Sequence, residues 1–196
     1  MKDTSSGRRL IRGNGEGFPA AITQTTDGGY VVVGSTNSSG PTFAILVLKL
    51  DAGGNIQWQK RYGWRNDSFA TSVEQTADGG YIIAGNIITS TYDHSIWVLK
   101  LNYKGDIEWQ RSFGSGATDV CAVRCSSEWG YIIGATSSCD LLVVKLNSTG
   151  GIIWQRRYDG GAEDYMSDIW TTWDGGFIIA RTTKSSGNKD IWVLKR

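Results

Sequence analysis

Asp78-Gly79-Gly80-Tyr81-Ile82-Ile83-Ala84-Gly85 decides the reading of this chain, because the chain writes it four times. Near-copies begin at Asp27 (DGGYVVVG), Glu128 (EWGYIIGA) and Asp174 (DGGFIIAR), at intervals of 51, 50 and 46 residues. Self-similarity at that period marks one supersecondary unit repeated along a single domain, 1–196. Within the stretch, Asp suits the start of a tight turn, and the glycines supply the positive φ angles that hairpin turns demand. Tyr81 to Ile87 then reads as a strand.

Outward from that turn, the second repeat predicts four strands. Strand A is Phe69–Gln75 before the turn, and strand B is Tyr81–Ile87 after it. A polar loop, Ile88–His94, leads to strand C, Ser95–Leu101. A second tight turn, Asn102–Asp106, leads to strand D, Ile107–Phe113, which alternates apolar and polar residues as a half-buried strand should. The first repeat predicts Ala20–Thr25, Tyr30–Thr36, Ala44–Leu50 and Ile56–Tyr62. The third predicts Val120–Cys125, Tyr131–Thr136, Leu141–Leu146 and Ile152–Tyr158. The fourth gives Met166–Thr171, Phe177–Thr182 and Ile191–Leu194, with no strand D before Arg196. Gly7–Arg12 matches the end of strand D in position and character, so it is expected to complete the fourth unit.

Four-stranded units of about 45–50 residues, with the first segment completing the last unit, predict an all-β fold. It is a β-propeller of four four-stranded antiparallel blades, closed by the N-terminal strand at about Gly7–Arg12. The repeats fall at approximately 14–63, 64–114, 115–159 and 160–196, the last joined by 7–13. Stacking the blades round an axis buries faces that one blade alone would leave open.

The DGGY turn, the WVLKL strand at Trp97–Leu101, and the strands WQKRYG (Trp58–Gly63) and WQRSFG (Trp109–Gly114) resemble the DGGY-type propeller repeats of bacterial and archaeal proteins. They are more distantly similar to the tryptophan-docking repeats of quinoprotein propellers. The resemblance covers about residues 7–196 and implies the blade, not an activity, since propellers host many functions. Quinoprotein rings hold a quinone and a calcium ion; no adjacent-cysteine pair or matching metal cluster stands here, and no catalytic residue carries over. No cofactor is expected.

Ring closure has two readings. Gly7–Arg12 folds back on its own chain to give a four-bladed monomer, or pairs with the fourth repeat of a second chain to give a strand-exchanged, eight-bladed dimer. Small strand A residues (Ala20, Ala21, Ala70, Ser72, Ala122, Ser167) let four inner strands approach one axis and favour the monomer.

Composition narrows the function. The 20 basic and 19 acidic residues leave a net charge of +1, without the clustered positive field that nucleic acid or an anionic membrane requires. Met1–Arg12 is polar, without the apolar core of a signal peptide, and no stretch approaches the roughly 20 apolar residues that span a bilayer. The chain therefore reads as soluble, with its compartment undefined. Cys121, Cys125 and Cys139 all lie in the third repeat, so they form no repeated disulfide framework and read as idle or buried thiols.

The tight A-to-B and C-to-D turns share one face of such a fold. The D-to-A and B-to-C loops, which differ between repeats, share the other, and variable loops on a rigid scaffold are the usual place for binding. Acids recur before the inner strands: Glu16, Asp67, Asp119, and Glu163 with Asp164. They either ring the mouth of the axis, where oxygen ligands suit Ca²⁺ or a cationic ligand, or cap their own loops through nearby backbone N–H groups. Trp64, beside Arg65, Asn66 and Asp67, offers a flat apolar face next to polar groups, as a sugar or peptide contact needs. His94, the single histidine, lies in a B-to-C loop. Trp58, Trp109 and Trp154 on strand D, and Trp97 and Trp192 on strand C, recur and are expected to pack between blades. The candidate site is thus Glu16, Trp64, Asp67, His94, Asp119 and Glu163, on a non-enzymatic scaffold that binds a carbohydrate, peptide or protein. Two other readings stand beside it: a small hydrolase or lyase using two of the carboxylates, and a repeat-derived or engineered scaffold without a ligand.

Overall fold

A computed structural model describes residues 15–63, 65–88, 94–114, 118–127, 130–159, 164–185 and 188–196. Each run of apolar and β-branched residues between turn residues forms a strand, alternating in Ile56–Tyr62 and Ile107–Phe113 and continuous where both faces are buried. The first sheet is β1 (Gly17–Gln24), β2 (Tyr30–Thr36), β3 (Ala44–Leu50) and β4 (Ile56–Tyr62). The second is β5 (Ser68–Gln75), β6 (Tyr81–Ile88), β7 (His94–Leu101) and β8 (Ile107–Phe113). The third is β9 (Thr118–Ser126), β10 (Gly130–Ser137), β11 (Asp140–Leu146) and β12 (Ile152–Tyr158). The fourth is β13 (Asp164–Thr171), β14 (Phe177–Ser185) and β15 (Asn188–Lys195).

The sheets are antiparallel meanders in sequence order, and they are the blades of a β-propeller. Three are four-stranded and the fourth has three strands among the described residues. The segment expected to complete it, Gly7–Arg12, lies outside them. No helix among the described residues is long and apolar enough to cross a membrane.

The inner strands β1, β5, β9 and β13 pack each on the next, and each later sheet docks its inner strand against the sheet before it. Each inner strand carries a bulge at the same place, leaving Ala20, Thr71, Cys121 and Ser167 out of register. Among the described residues no comparable packing joins the fourth sheet to the first.

The cores lie between blades, not within them. Ile45 and Val47 of the first sheet face Trp97, Leu99 and Leu101 of the second. Ile96 and Val98 face Leu142, Val144 and Leu146; Leu141 and Val143 face Leu194. The strand D tryptophans cross these junctions. Trp58 meets Tyr81 at 5.9 Å between ring centroids, Trp109 meets Tyr131 at 5.7 Å, and Trp154 meets Phe177 at 6.0 Å. The aromatic residue of the second, third and fourth stretches, Tyr81, Tyr131 and Phe177, is therefore the platform for the tryptophan of the preceding repeat. Trp97 is buried as expected, whereas Trp192 is 45% exposed and lies over Arg181.

The turn aspartate ties two strands together. Asp27 Oδ1 accepts the Gly29 N–H at 3.0 Å, Asp78 Oδ1 that of Gly80 at 2.9 Å, and Asp174 Oδ1 that of Gly176 at 3.3 Å. A strand C lysine meets each carboxylate: Lys49 and Lys100 at 2.8 Å, Lys195 at 2.7 Å. Lys49 and Lys100 are almost wholly buried, so the carboxylate is the charge partner that burial of an ammonium requires. Lys49, with the Thr25 hydroxyl and the Gly29 N–H, holds Asp27 well below the usual carboxylate range. At Asp78 burial pushes upward, but Lys100, Thr76 and Gly80 outweigh it and the net shift is down. In the third repeat Lys145 donates to Ser126 Oγ.

Candidate binding face

The D-to-A and B-to-C connections gather on the face opposite the DGGY turns. Asp67, in the connection to β5, accepts the Phe43 N–H at 2.8 Å, while its backbone carbonyl accepts the Ile88 N–H at 2.8 Å. It clamps the B-to-C loop of the first blade and the end of β6 onto one point. Glu16 is exposed, and its backbone ties β1 to the loop after β2: its N–H donates to Asn37 Oδ1 at 2.7 Å and its carbonyl accepts Thr36 Oγ1 at 2.8 Å. Trp64 and Glu163 lie outside the described residues.

His94 and Asp119 come together. His94 opens β7, and Asp119 is the second residue of β9; neither stays in the loop where the sequence reading put it. Both strands start early because their first residues pair, His94 with Ile88 and Asp119 with Thr136. His94 Nδ1 lies 3.4 Å from Asp119 Oδ1, and the Asp119 side chain is 73% exposed, so the pair presents a polar edge to solvent.

Asp164 takes a different role. It is fully buried at the start of β13 and pairs with Arg181 of β14, whose guanidinium lies 4.0 Å from the Trp192 ring centroid. This ion pair fills the junction between the third and fourth blades, where a lone charge would be costly. It faces no open site.

The most prominent apolar feature of this face was missed in the sequence. Phe18, Phe43 and Phe69 form a row, with ring centroids 5.7 Å and 5.3 Å apart. Phe18 and Phe69 hold the same repeat position, one on each of two neighbouring inner strands. Asp119 and Tyr165 hold that position in the third and fourth repeats. Phe43 stands where the second repeat has His94; it bridges the two from the first B-to-C loop, the loop that Asp67 clamps. Repeat position would have found Phe18 and Phe69 together, but Phe43 carries no sequence signal.

Two clefts have linings that share repeat positions, and the first flanks Phe43. One of about 480 Å³ is lined by residues including Thr36, Pro41, Leu46, Gln59, Arg61 and Gly63. The other, of about 320 Å³, is lined by Phe113, Gly114, Ser137, Leu142, Gln155 and Arg157. Trp97 is the repeat counterpart of Leu46 and Leu142, and its ring lies against Gly63. The larger indole occupies the second blade's version of the slot that leucine leaves open.

Among the described residues no three His, Cys, Asp or Glu side chains gather as metal ligands. Burial pushes the Cys121 thiol up to about 11 and the Cys125 thiol up to about 12, which keeps both protonated and poor as nucleophiles.

No protein-family model matches this chain, and no curated protein sequence matches it. Solved structures do. A presumed exo-β-1,3-galactanase from Bifidobacterium bifidum s17 aligns over 99% of this chain and 71% of its own, at 16% identity and a TM-score of 0.56. CoXyl43, a β-xylosidase/α-arabinofuranosidase from a compost microbial metagenome, aligns over 90% and 68%, at 11% identity and 0.53. The Neurospora crassa Pan2 WD40 domain aligns over 91% and 63%, at 13% identity and 0.53. Identities this low establish the propeller fold and leave the activity open.

Proposed function

We propose that the chain is a non-enzymatic propeller module that binds a carbohydrate on the face carrying Phe18, Phe43 and Phe69. The aromatic row carries this reading. Phe18 is 55% exposed, and three rings spaced 5.3–5.7 Å apart, two on inner strands and one in the loop between them, offer stacking surface to successive apolar sugar faces. His94 with Asp119 supplies a polar edge for hydroxyl groups. Two of the structural neighbours are named as enzymes of glycans, which agrees with the ligand class without adding residues to it. Non-enzymatic binding is favoured because the described carboxylates are largely engaged. Asp67 caps Phe43, Asp164 neutralises Arg181 and Asp119 sits against His94, whereas a hydrolytic pair needs two carboxyl groups about 5–9 Å apart across a cleft. We also propose membership of the DGGY-type repeat family, on the motifs quoted above.

A glycan array followed by calorimetric titration tests the function. The expected result is a saccharide ligand whose affinity falls about tenfold or more in Phe43→Ala, consistent with the loss of one stacking contact, while unfolding remains close to wild type. An array without saccharide binding, or a saccharide bound equally by Phe43→Ala and Phe69→Ala, removes the reading. A peptide or protein ligand sensitive to the same substitutions keeps the face and changes the ligand class.

A further inference from the structure

The two ends of the row of blades carry the two halves of the interface that joins the blades internally. We infer that a second copy of this chain covers them, closing an eight-bladed ring in which the fourth blade of each copy docks on the first blade of the other.

Repeat equivalence supplies the argument. Ile45, Ile96 and Leu141 occupy one position of strand C, and Val47, Val98 and Val143 another; all six are 0% exposed against the following blade. Their counterparts in the fourth blade are Ile191 and Val193, which are 84% and 57% exposed. On the receiving side, Val73, Val123 and Ile169 are 6%, 0% and 1% exposed against the preceding blade. Their counterpart in the first blade, Ile22, is 64% exposed. Ile178 continues the first uncovered face, while Tyr30, Val32 and Leu46 continue the second, all of them only partly covered. Faces of this kind are buried at all three internal junctions and open at the two ends, and large uncovered apolar faces mark association surfaces.

Two further observations choose the occupant. The complementary faces belong to one chain, so a second copy supplies both. They do not meet each other within the described chain. Head-to-tail contacts close when the rotation returns to its start, and two copies of four blades give eight, within the size range of propeller rings. From strand spacing and rise, each face is roughly 330–440 Å². Two such contacts bury about 1,300–1,700 Å², the size of a stable interface.

One element weakens the seam. At each internal junction a strand B side chain accepts a backbone N–H of the next inner strand: Ser35 from Ala70 at 3.1 Å, Asn86 from Val120 at 3.1 Å, Thr136 from Met166 at 2.9 Å. At the seam the acceptor is Thr182 and the donor position is Pro19, which has no N–H. The seam therefore lacks one hydrogen bond present elsewhere and is the junction that opens first on dilution.

Sedimentation equilibrium of the full chain across a dilution series tests the inference, with circular dichroism confirming folding. One copy is 21.4 kDa. The expected mass is about 43 kDa, for a closed pair, falling toward one copy on dilution. Ile191→Glu and Ile22→Glu, each on a surface already exposed in the single copy, are both expected to shift the mass to one copy at least tenfold higher in concentration than wild type. A wild-type chain that is monomeric throughout overturns the inference. Loss of the pair in Ile191→Glu but not in Ile22→Glu overturns the head-to-tail arrangement, since it means that two fourth blades meet. Growth beyond two copies overturns closure.

Discussion

Removing the Asp27 carboxylate while leaving Lys49 in place should destabilise the fold more than removing both. Lys49 is 4% exposed, and its ammonium has Asp27 at 2.8 Å and the Leu50 carbonyl at 2.9 Å. Asp27→Ala leaves that ammonium buried with one neutral acceptor. Breaking a fully buried pair costs about 3–5 kcal/mol. Asp27 is 54% exposed, so water screens part of this, and about 2 kcal/mol is the working figure. Lys49→Met keeps an apolar stem in the same channel and leaves Asp27 bonded to Thr25 and Gly29, for a cost of about 1 kcal/mol or less. The double variant should resemble Lys49→Met, giving a coupling energy of about 1.5–2 kcal/mol. Urea unfolding of the four proteins, followed by tryptophan fluorescence at neutral pH, measures it. A coupling below about 0.5 kcal/mol, or a double variant as weak as the sum of the singles, refutes the claim that the turn aspartate exists to neutralise the strand C lysine.

The same pair fixes an acid response. Asp27 titrates lower folded than unfolded, so its contribution is present above the unfolded value of 3.8 and is lost as pH falls through the folded one. The urea midpoint should drop between about pH 4 and pH 2, and drop less in Lys49→Met; Glu74, raised by burial, works in the opposite sense and is common to both proteins. Neighbouring glycines should separate conformation from space: Gly79 has φ +79° and open surroundings, so Gly79→Ala costs about 1 kcal/mol. A Cβ on Gly80 would stand 2.2 Å from the Leu101 carbonyl oxygen, so Gly80→Ala should cost more, about 2–3 kcal/mol by the same denaturation. Timed alkylation read by mass spectrometry should modify exposed Cys139 first, with Cys121 and Cys125 lagging at least tenfold because burial holds their thiols protonated.

Most of the fold was legible because it obeys a ruler. Strands such as Tyr30–Thr36, Ile56–Tyr62 and Ile107–Phe113 have the bounds that alternation and turn residues imply. The inner strands run longer than expected. Ser68, Thr118 and Asp164 are polar, and they enter the sheets because tertiary pairing buries them, which no local propensity announces. The tryptophans of strand D were readable as inter-blade packing; that they land on the DGGY tyrosine was not, since the partner lies in the next repeat. The candidate face was only partly visible. Charge and loop position pointed to Asp67 and Asp119, while Phe43 stands once, in a loop, and acquires meaning only through the two rings it bridges. Asp164 looked like a rim acid because its partner, Arg181, sits 17 residues away at a position where the other repeats have Gly34, Gly85 and Ala135.

The tryptophan of one repeat resting on the tyrosine of the next has a bearing on ancestry. The segment that is copied in the gene and the core that is packed in the protein are out of phase by half a unit. Each duplication therefore brings one donor face and one acceptor face, and restores at its far end whatever it consumes at its near end. Copy number can rise or fall without inventing a new contact. Within such a series only a residue like Pro19, which spoils the acceptor side at one position, marks where counting starts.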